Sequence, residues 1–444
     1  MSASPLELLA ELIAKARAAG ADAADAVLLA GTSLSVLRRL GKTEHVERAE
    51  GRDLGLRVFL GRRSAIASST AVDPVGFAQL AERAVAMARV VPDDPYGGLA
   101  DETAPVDPGP LDLADSAEPE PETLIARAAA AEEAALSVPG VTNSEGGEAS
   151  FGRGEFFLVS SAGFAAGYVR TNHSVSATAL AGSGTAMQRD YDFSSAVHQA
   201  DLEDAAGIGR SAGERAVTRL DPKRPRTARL PVVYDPRVAS SLLGHLVGAI
   251  NGGAVARGTT FLKDKLGARV FAPGIAIVDD SCRRRGLRSR PFDGEGVATA
   301  KRAVVEDGVL TSWLLDTRSA RQLGLKTTGH ASRTAGAPPA PSASNLSLQN
   351  GVLSPAELMA DIKEGLYLTE LIGMGVNGVT GDYSRGAAGF MIRDGAIAEP
   401  VAEFTVAGTL QDMFMRLTPA NDLRFRRGID APTVRIEGMT LAGA

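Results

Sequence analysis

The order of helical and strand patterns in the first half of the chain is the feature that most constrains its fold. Apolar residues recur at helical spacing in three segments, and three others show the alternation or the glycine punctuation of strands. The predicted helices are residues 5–19, 74–89 and 122–136, and the predicted strands are residues 26–40, 54–70 and 140–181. This order is typical of an α+β domain built on an antiparallel sheet.

A Pro-rich basic segment divides the chain into two predicted domains. At 444 residues the chain is longer than one ordinary domain, and residues 221–229 (DPKRPRTAR) interrupt the regular patterns. We therefore predict an N-terminal α+β domain at residues 1–221 and a β-rich C-terminal domain at residues 230–444. Two Asp-Gly pairs between apolar runs, at 307–308 and 394–395, indicate β-hairpins in the second domain.

Two further local signals lie in the second domain. Ser354 followed by Glu357 has the spacing of a capping box, which predicts that a short helix begins at residues 355–364. The apolar residues of 434–436 and 439–441 predict either a pair of terminal strands or one kinked strand.

Residues 92–122 form an acidic, proline-rich segment without a single lysine or arginine. Such a composition cannot bury enough apolar surface to form a core of its own. A domain linker is one interpretation. We favour a long surface excursion within the first domain, because the helix predicted at 122–136 returns the chain to that domain.

The charge and hydropathy of the chain argue against several functional classes. The 47 basic and 53 acidic residues give a net charge of −6, which disfavours nucleic acid as the main ligand. No run of 18 apolar residues is present, so no membrane span is predicted. The single cysteine, Cys282, excludes an intrachain disulfide and suits a reducing compartment. The first 20 residues read as an amphipathic helix interrupted by Glu7 and Glu11 rather than as a secretory signal, so we expect a cytoplasmic protein.

Residues 238–253 (VASSLLGHLVGAINGG) combine helical apolar spacing with one histidine, His245. A hydrolytic zinc site needs three protein ligands from His, Cys or carboxylate and an open position for water. The five histidines of the chain are scattered, and none has another histidine or a cysteine within five residues. These residues favour a hydrogen-bonded core or cleft histidine over a metal ligand.

Cys282 and the arginines that follow it admit two chemical interpretations. The cations of residues 283–285 would lower the pKa of a nearby thiol, but no oriented base is visible in the sequence, which disfavours a cysteine enzyme. The arginines could also bind phosphate or RNA. Because no aromatic residues are interleaved with them, a solvated loop facing acidic neighbours is the favoured interpretation.

A glycine- and alanine-rich strand pattern is the most distinctive candidate binding segment. Its residues are Asp382, Tyr383, Ser384, Arg385, Gly386, Gly389 and Phe390. Small residues beside an arginine suit a strand that another backbone approaches closely. The functional interpretation is a peptide-binding sheet edge or a subunit contact, and the alternative is a tightly packed internal bulge. The sequence does not separate the two.

An ordered series of segments gives the chain a resemblance to a known family. The segments are 53–70 (DLGLRVFLGRRSAIASST), 291–312 (PFDGEGVATAKRAVVEDGVLTS), 315–329 (LDTRSARQLGLKTTG), 382–412 (DYSRGAAGFMIRDGAIAEPVAEFTVAGTLQD), 421–423 (NDL) and 432–443 (PTVRIEGMTLAG). Together they resemble the TldD/PmbA family of bacterial metallopeptidase subunits. In its catalytic branch the helix at 238–253 is similar to the one that carries HExxxH, and the matching positions here are Gly244, His245 and Ala249. The C-terminal cysteine of that branch is also missing, since residues 422–427 offer arginine and phenylalanine instead.

The resemblance implies a metal-free subunit of the PmbA/TldE type, with no catalytic residue, metal ligand or cofactor in this chain. The expected partner is a zinc-bearing TldD-like chain in a heterodimer, with a homodimer when that partner is missing. The complex is expected to process or degrade peptides and unfolded small proteins, while this chain shapes the substrate cavity and stabilises the partner. Two alternatives remain open, a stand-alone metallohydrolase with an unrecognised metal site and a non-proteolytic regulatory binding protein.

Overall fold

The computed structural model describes residues 4–444, and the first half of the chain is built on one antiparallel sheet. Its strands are β1 (Ala23–Arg39), β2 (Lys42–Leu60), β3 (Arg63–Ser69), β4 (Val141–Ser160), β5 (Ala165–Ala181) and β6 (Gln188–Ala196). They lie in the order β3-β2-β1-β4-β5-β6, and every neighbouring pair is antiparallel. The predicted α+β class with an antiparallel N-terminal sheet is confirmed.

Four α-helices cover one face of this sheet in two pairs. They are α1 (Pro5–Ala18), α2 (Phe77–Val90), α3 (Pro121–Leu136) and α4 (Ala205–Thr218), and short 3-10 turns lie at Pro74–Gly76, Gly109–Leu111, Gly184–Ala186 and Gln199–Asp201. Ala26 and Leu28 of β1 share a core with α1 and α2, whereas Leu34 and Val36 pack against α3. Because side chains an even number of residues apart share one face of a strand, both helix pairs lie on the same side of the sheet.

The second half of the chain is organised around a sheet that closes on itself. The strands are β7 (Ala228–Tyr234), β8 (Ile277–Asp280), β9 (Lys301–Glu306), β10 (Val309–Leu310), β11 (Ala331–Thr334), β12 (Ala337–Pro341), β13 (Leu346–Leu348), β14 (Glu364–Ile372), β15 (Asp382–Arg393), β16 (Ala396–Thr409), β17 (Leu417–Pro419), β18 (Ile429–Asp430) and β19 (Val434–Ala442). The order β16-β15-β14-β7-β19-β17 is closed by a second pairing of β16 with β19. A smaller sheet, β10-β9-β8-β13-β18, and the hairpin β11-β12 complete the strand structure of this half.

Short helices pack against these sheets. They are α5 (Pro236–Ala249), α6 (Gly252–Ala256), α7 (Thr317–Gln322), α8 (Pro355–Met359) and α9 (Leu410–Met415). Apolar side chains from α5, α9 and both sheets form one continuous core. Across residues 4–444, no helix combines the length and the apolar character needed to cross a membrane.

Local signals in the second half produce the structures that they predict. Asp307 and Gly308 connect β9 to β10, and Asp394 and Gly395 connect β15 to β16, with positive φ angles of 47° to 82° at all four residues. Such angles are those of the tight hairpin turn that an Asp-Gly pair favours. Ser354 and its capping-box partner begin α8, but the helix ends at Met359 because the chain enters β14 five residues later. The C-terminal segment is a single strand, β19, with a register shift near its middle.

Two elements differ from the prediction. Residues 42–53 extend β2, although no strand was predicted there. The sequence did not indicate it because every side chain in this stretch is exposed and no apolar alternation marks it. The helix predicted at 238–253 is two helices, since α5 ends at Ala249 and Asn251 caps α6 through its side-chain oxygen. Pairing with β1 stabilises the extension of β2, and the cap formed by Asn251 separates α6 from α5.

The acidic segment predicted at residues 92–122 ends where α3 begins at Pro121, and it contacts the second domain as well as the first. Arg318 binds Asp94 with an N–O distance of 2.6 Å, and Arg321 binds Asp101 at 2.7 Å. Leu111, at the end of the segment's short 3-10 turn, is buried. The surface excursion was predicted for the first domain alone, and the charges that hold it to the second domain come from residues at least 172 positions away.

Candidate functional site

Helix α5 positions the residues that match the family's metal-binding motif. Asp235 precedes the helix and its carboxylate accepts a hydrogen bond from the Arg237 amide at 2.9 Å, while Pro236 occupies the first helical position. One face of the helix is apolar and buried: Val238, Ala239, Leu242, Leu243, Leu246 and Ala249. Gly244 and Gly248 lie on the exposed side, where a Cβ at either position would meet open space.

The three motif positions have different surroundings. Gly244 offers no side chain, and Ala249 is only 2% exposed, with its methyl group in the core. His245 lies between them in sequence and is half-buried. Its ring meets Tyr383 edge-on at 5.9 Å between centroids, and its buried Nε2 has no hydrogen-bond partner among residues 4–444.

The environment of His245 favours a neutral imidazole. Burial lowers its pKa, and the positive charge of Arg385 lowers that pKa further. Burial also raises the pKa of Tyr383, so that side chain keeps its proton. Among residues 4–444, no carboxylate lies within 4.0 Å of the His245 ring to make it a general base. The prediction was a hydrogen-bonded core or cleft histidine. The half-buried ring beside Tyr383 agrees with its position, but the hydrogen bond is missing at Nε2.

The residues at the motif positions do not fit a zinc ion. Gly244 and Ala249 supply no donor atom, and one neutral imidazole is fewer than the three ligands that a catalytic zinc needs. In the part of the chain that the structure describes, no three His, Cys, Asp or Glu side chains are grouped as metal ligands would be.

The glycine-rich candidate segment is an interior strand. β15 pairs with β14 on one side and with β16 on the other. The loop before it covers the remaining stretch, since Ser384 N–H donates to the Gly375 carbonyl and Val376 bridges to Tyr383. The peptide-binding edge is therefore wrong for this segment, because its main-chain groups already have partners within the chain.

Close packing explains the small residues of β15. A Cβ on Gly389 would clash with the Tyr367 carbonyl, and the register shifts beside it on both sides. Of the predicted segment, Tyr383 is buried, Gly386 and Arg385 are half-buried, and Asp382 and Ser384 are exposed. Phe390 is also half-buried. The subunit contact that the sequence suggested remains a prediction for the exposed residues.

The arginines that follow Cys282 lie in the loop after β8, where two of them form ion pairs with aspartates of the first half of the chain. Arg285 donates to Asp112 at 2.6 Å and to Asp201 at 3.0 Å, and Arg284 also reaches Asp112 at 2.8 Å. Cys282 is exposed, and the closest polar contact of its sulfur is the Thr299 carbonyl at 3.5 Å. The favoured interpretation, a loop that faces acidic neighbours, describes this arrangement.

A cavity that the sequence did not predict lies between the two domains at the N-terminal end of α5. Its volume is about 270 Å³, and we call it the arginine cavity. Five arginines line it: Arg215, Arg237, Arg424, Arg426 and Arg427. Three of them bind acids of the first domain: Arg215 and Arg426 each approach Asp192 within 3.2 Å, and Arg237 approaches Asp190 within 2.6 Å. No local signal could reveal this cluster, because its members come from three distant parts of the chain.

A second charged group between the domains is fully buried, and we call Asp25, Arg57, Glu295 and Arg333 the buried charge cluster. Asp25 is 2% exposed and forms ion pairs with both guanidinium groups, with N–O distances of 2.5 Å to Arg57 and 2.5 Å to Arg333. Arg57 also lies 3.7 Å from Glu295. Arg57 lies on the face of β2 opposite to Leu56 and Val58, which pack on the helices, and Glu295 of the second domain lies against it there.

Carboxyl groups in this region have opposite pKa shifts. Burial alone would raise the pKa of Asp25, but the charges of Arg333 and Arg57 outweigh burial and hold it at about 2. Burial and the neighbouring Glu295 raise the pKa of Asp293 to about 7. Burial also raises the pKa of Glu295, against the opposing charge of Arg57. The region therefore contains one carboxylate that stays charged and another that titrates near neutral pH.

Comparisons with known proteins place these features in a family. The patterns of the PmbA/TldA metallopeptidase C-terminal domain, central domain and domain 1 match residues 227–443, 114–220 and 24–88. The chain is 39% identical to Metalloprotease PmbA of Escherichia coli O157:H7 over 95% of its own length and 92% of that protein. It is 33% identical to a PmbA homologue of Haemophilus influenzae over 96% and 93% of the two chains.

Solved structures have the same fold. A Bacteroides thetaiotaomicron protein described as a modulator of DNA gyrase superposes with a TM-score of 0.86 at 25% identity, covering 99% of this chain and 98% of its own. TldE of Thermococcus kodakarensis gives a TM-score of 0.86 at 18% identity, with 98% and 100% covered, which shows the fold alone. Sequence identity over nearly the full length, with all three domain patterns in order, shows that this chain belongs to the PmbA/TldD metallopeptidase family.

Proposed function

We propose that this chain is the metal-free subunit of a PmbA/TldD-type peptidase complex. The observation that carries the proposal is the composition of α5, where Gly244 and Ala249 stand at the positions of the two motif histidines. The zinc ion and the hydrolytic step then belong to a TldD-like partner that has HExxxH. The substrates are peptides and unfolded small proteins, and the complex works in the cytoplasm.

In this proposal the chain shapes the substrate cavity and stabilises its partner. The open space above Gly244 and Gly248 supports this role, because a peptide backbone can approach a helix most closely where side chains are missing. The partner is expected in a heterodimer, and two copies of this chain would pair when the partner is absent.

The test compares the chain alone, the partner alone and the mixture. We expect no stoichiometric zinc by elemental analysis and no cleavage of an unfolded protein such as reduced casein with the chain alone. The mixture should form a complex by light scattering and cleave the substrate. Changing the glutamate of the partner's HExxxH to glutamine is the matched control, because it should stop cleavage and preserve the complex.

Two outcomes would replace the proposal. About one metal ion per chain in the isolated protein, lost in His245→Ala, would identify a stand-alone metallohydrolase with a new ligand set. A stable complex with a client protein that is never cleaved, even with the partner present, would identify a regulatory binding protein.

A further inference from the structure

The arginine cavity contains two guanidinium groups that no carboxylate of the chain neutralises. Within residues 4–444, the guanidinium group of neither Arg424 nor Arg427 has a carboxylate oxygen within 4.0 Å. The other three cavity arginines, Arg215, Arg237 and Arg426, each have at least one. A guanidinium carries five N–H donors. Two unneutralised groups of this kind at one cavity are a surplus of positive charge and of hydrogen-bond donors.

Arg427 is oriented by stacking on an aromatic ring, and its N–H donors form only long hydrogen bonds within the chain. Its guanidinium lies over the Phe193 ring at 4.6 Å from the centroid. Its two hydrogen bonds, to the Arg237 carbonyl at 3.4 Å and the Tyr191 hydroxyl at 3.5 Å, are long for this donor. The fork of donors is therefore oriented by stacking and remains able to bind an oxyanion bidentately.

The aspartates that line the cavity are engaged in structural hydrogen bonds. Asp422 accepts from the Thr433 amide and hydroxyl, both at 2.8 Å. Asp430 accepts three backbone amides of its own turn at 3.0 Å each. Asp235 accepts the Tyr367 hydroxyl at 3.0 Å and caps α5. These carboxylates shape the cavity and leave Arg424 and Arg427 without an acidic partner.

The size of the cavity and its position on α5 indicate what its ligand is. A volume of about 270 Å³ lies below the range of roughly 300–1,000 Å³ that encloses drug-sized ligands, so it suits the end of a longer molecule. Arg237 and Gly244 are seven residues apart, which is almost two full helical turns and places them on one face about 10 Å apart. An extended chain whose end occupies the cavity would need about three residues to reach Gly244.

We propose that the arginine cavity binds the free C-terminal carboxylate of a peptide, with Arg427 as the principal partner and Arg424 as a second. The proposal deepens the proposed function, since it takes the peptide nature of the ligand from it. A carboxylate end held here would align an extended peptide along the glycine face of α5. Capture of a terminal carboxylate is a recurring form of peptide recognition.

The test is a fluorescence-anisotropy titration of the isolated full-length chain. The probes are fluorescein-labelled penta-alanine with a free C-terminal carboxylate, and the same peptide with a C-terminal amide. We expect the amide to bind at least tenfold more weakly, which corresponds to about 1.4 kcal/mol. Arg427→Gln should weaken binding of the free acid at least tenfold and Arg424→Gln about threefold, while neither should change binding of the amide.

Three controls make the result specific. Arg52→Gln removes an exposed arginine of the first domain and should leave both titrations unchanged. Arg424 is exposed, so its variant remains informative even if Arg427→Gln were to perturb folding. Inorganic phosphate is titrated separately, because it shares oxyanion chemistry with a carboxylate.

Equal affinity for acid and amide would overturn the proposal, as would unchanged binding in both folded cavity variants. Binding of phosphate without binding of either peptide would identify a phosphate site instead. These readouts need no partner and no cleavage, so the carboxylate site can fail while the complex forms and cleaves, and the complex can fail while the chain alone binds the acid.

Discussion

Two arginine-rich clusters lie between the same two domains, and they differ in how their charges are balanced. In the buried charge cluster, two guanidinium groups share the Asp25 carboxylate, each with an N–O distance of 2.5 Å. In the arginine cavity, Arg424 and Arg427 line about 270 Å³ of open volume, and their guanidinium groups have no carboxylate within 4.0 Å among residues 4–444. Carboxylates of the chain lie beside both guanidinium groups of the first cluster, whereas two guanidinium groups of the second have no carboxylate beside them.

The difference teaches how arginines that join two domains divide between structure and binding. A buried pair is costly to break, because the remaining charge stays in a low-dielectric interior. An arginine beside water keeps its solvation when a neighbour is removed, so its loss affects stability little. Substitutions in the buried charge cluster should therefore lower stability most, whereas substitutions in the arginine cavity should weaken ligand binding most.

The largest effect is expected from Asp25→Ala. The substitution leaves Arg57 and Arg333 buried without the carboxylate they share, and breaking a buried pair typically costs about 3–5 kcal/mol. Urea denaturation followed by circular dichroism would measure the loss. Asp53→Ala, at an exposed aspartate of the neighbouring strand, is the matched control and should change stability by less than about 0.5 kcal/mol. A cost below about 1 kcal/mol for Asp25→Ala would break the comparison.

The next largest effect is a pH dependence of stability that comes from the titration of Asp293. Its pKa is about 7 in the folded chain against 3.8 for a free aspartate, so the folded state binds the proton more tightly. Its contribution to stability is then present at low pH and declines as the pH rises from about 4 to about 7. The free energy of unfolding should change by about 4 kcal/mol in total, because a pKa difference of one unit between the folded and unfolded states corresponds to about 1.4 kcal/mol.

Asp293→Asn tests this sign. Denaturation midpoints at pH 4.5, 6 and 8 should shift in favour of the variant as the pH rises, on top of a constant loss from the Ala331 amide hydrogen bond. Asp25 cannot imitate the effect, because its pKa is lowered to about 2 and its stabilisation is lost only as the pH falls below about 3.8. A constant difference between the two proteins across pH 4.5–8 would contradict the prediction.

A smaller effect is expected when the cavity arginines are replaced. Arg427→Gln loses the stacking on Phe193, which is worth about 0.5–1 kcal/mol, and Arg424→Gln at an exposed position should cost less than about 0.5 kcal/mol. Both are measured in the same urea series as Asp25→Ala. A loss above about 3 kcal/mol in either variant would place the arginine cavity with the buried charge cluster as a structural feature.

The smallest effect concerns the acidic segment. Arg321→Ala removes contacts to the Leu99 carbonyl and to Asp101, both at 2.7 Å, yet exposed ion pairs contribute only about 0–1 kcal/mol. Global stability should hardly change, while the segment becomes easier to cleave. Because the segment has no lysine or arginine, a glutamate-specific protease provides the readout, with Arg52→Ala as the unaffected control.

Local structure was predicted where neighbouring residues determine it. The Asp307-Gly308 and Asp394-Gly395 turns and the capping box at Ser354 form as the sequence indicates, because each depends on backbone angles or hydrogen bonds within four residues. Residues 42–53 were not predicted, since their strand conformation comes from pairing with β1 and leaves no apolar pattern.

The candidate site was predicted unevenly for the same reason. The missing donors at Gly244 and Ala249 can be read directly from the sequence. The sequence could not show whether β15 lies at the edge of a sheet, because glycine permits both an open edge and a packed bulge. Pairing on both sides of β15 answered that question.

The sequence by itself determined the α+β class, the family and the lack of metal-ligating side chains at the motif positions of α5, since each follows from residue types and their order along the chain. Only the tertiary structure decided which charges meet. Asp25 and Arg333, or Arg215 and Arg427, are separated by more than 200 residues, and no local pattern records their contact. Burial then decided their roles, because a charge enclosed by two domains needs a partner within the chain, whereas a charge beside a cavity remains available to a ligand.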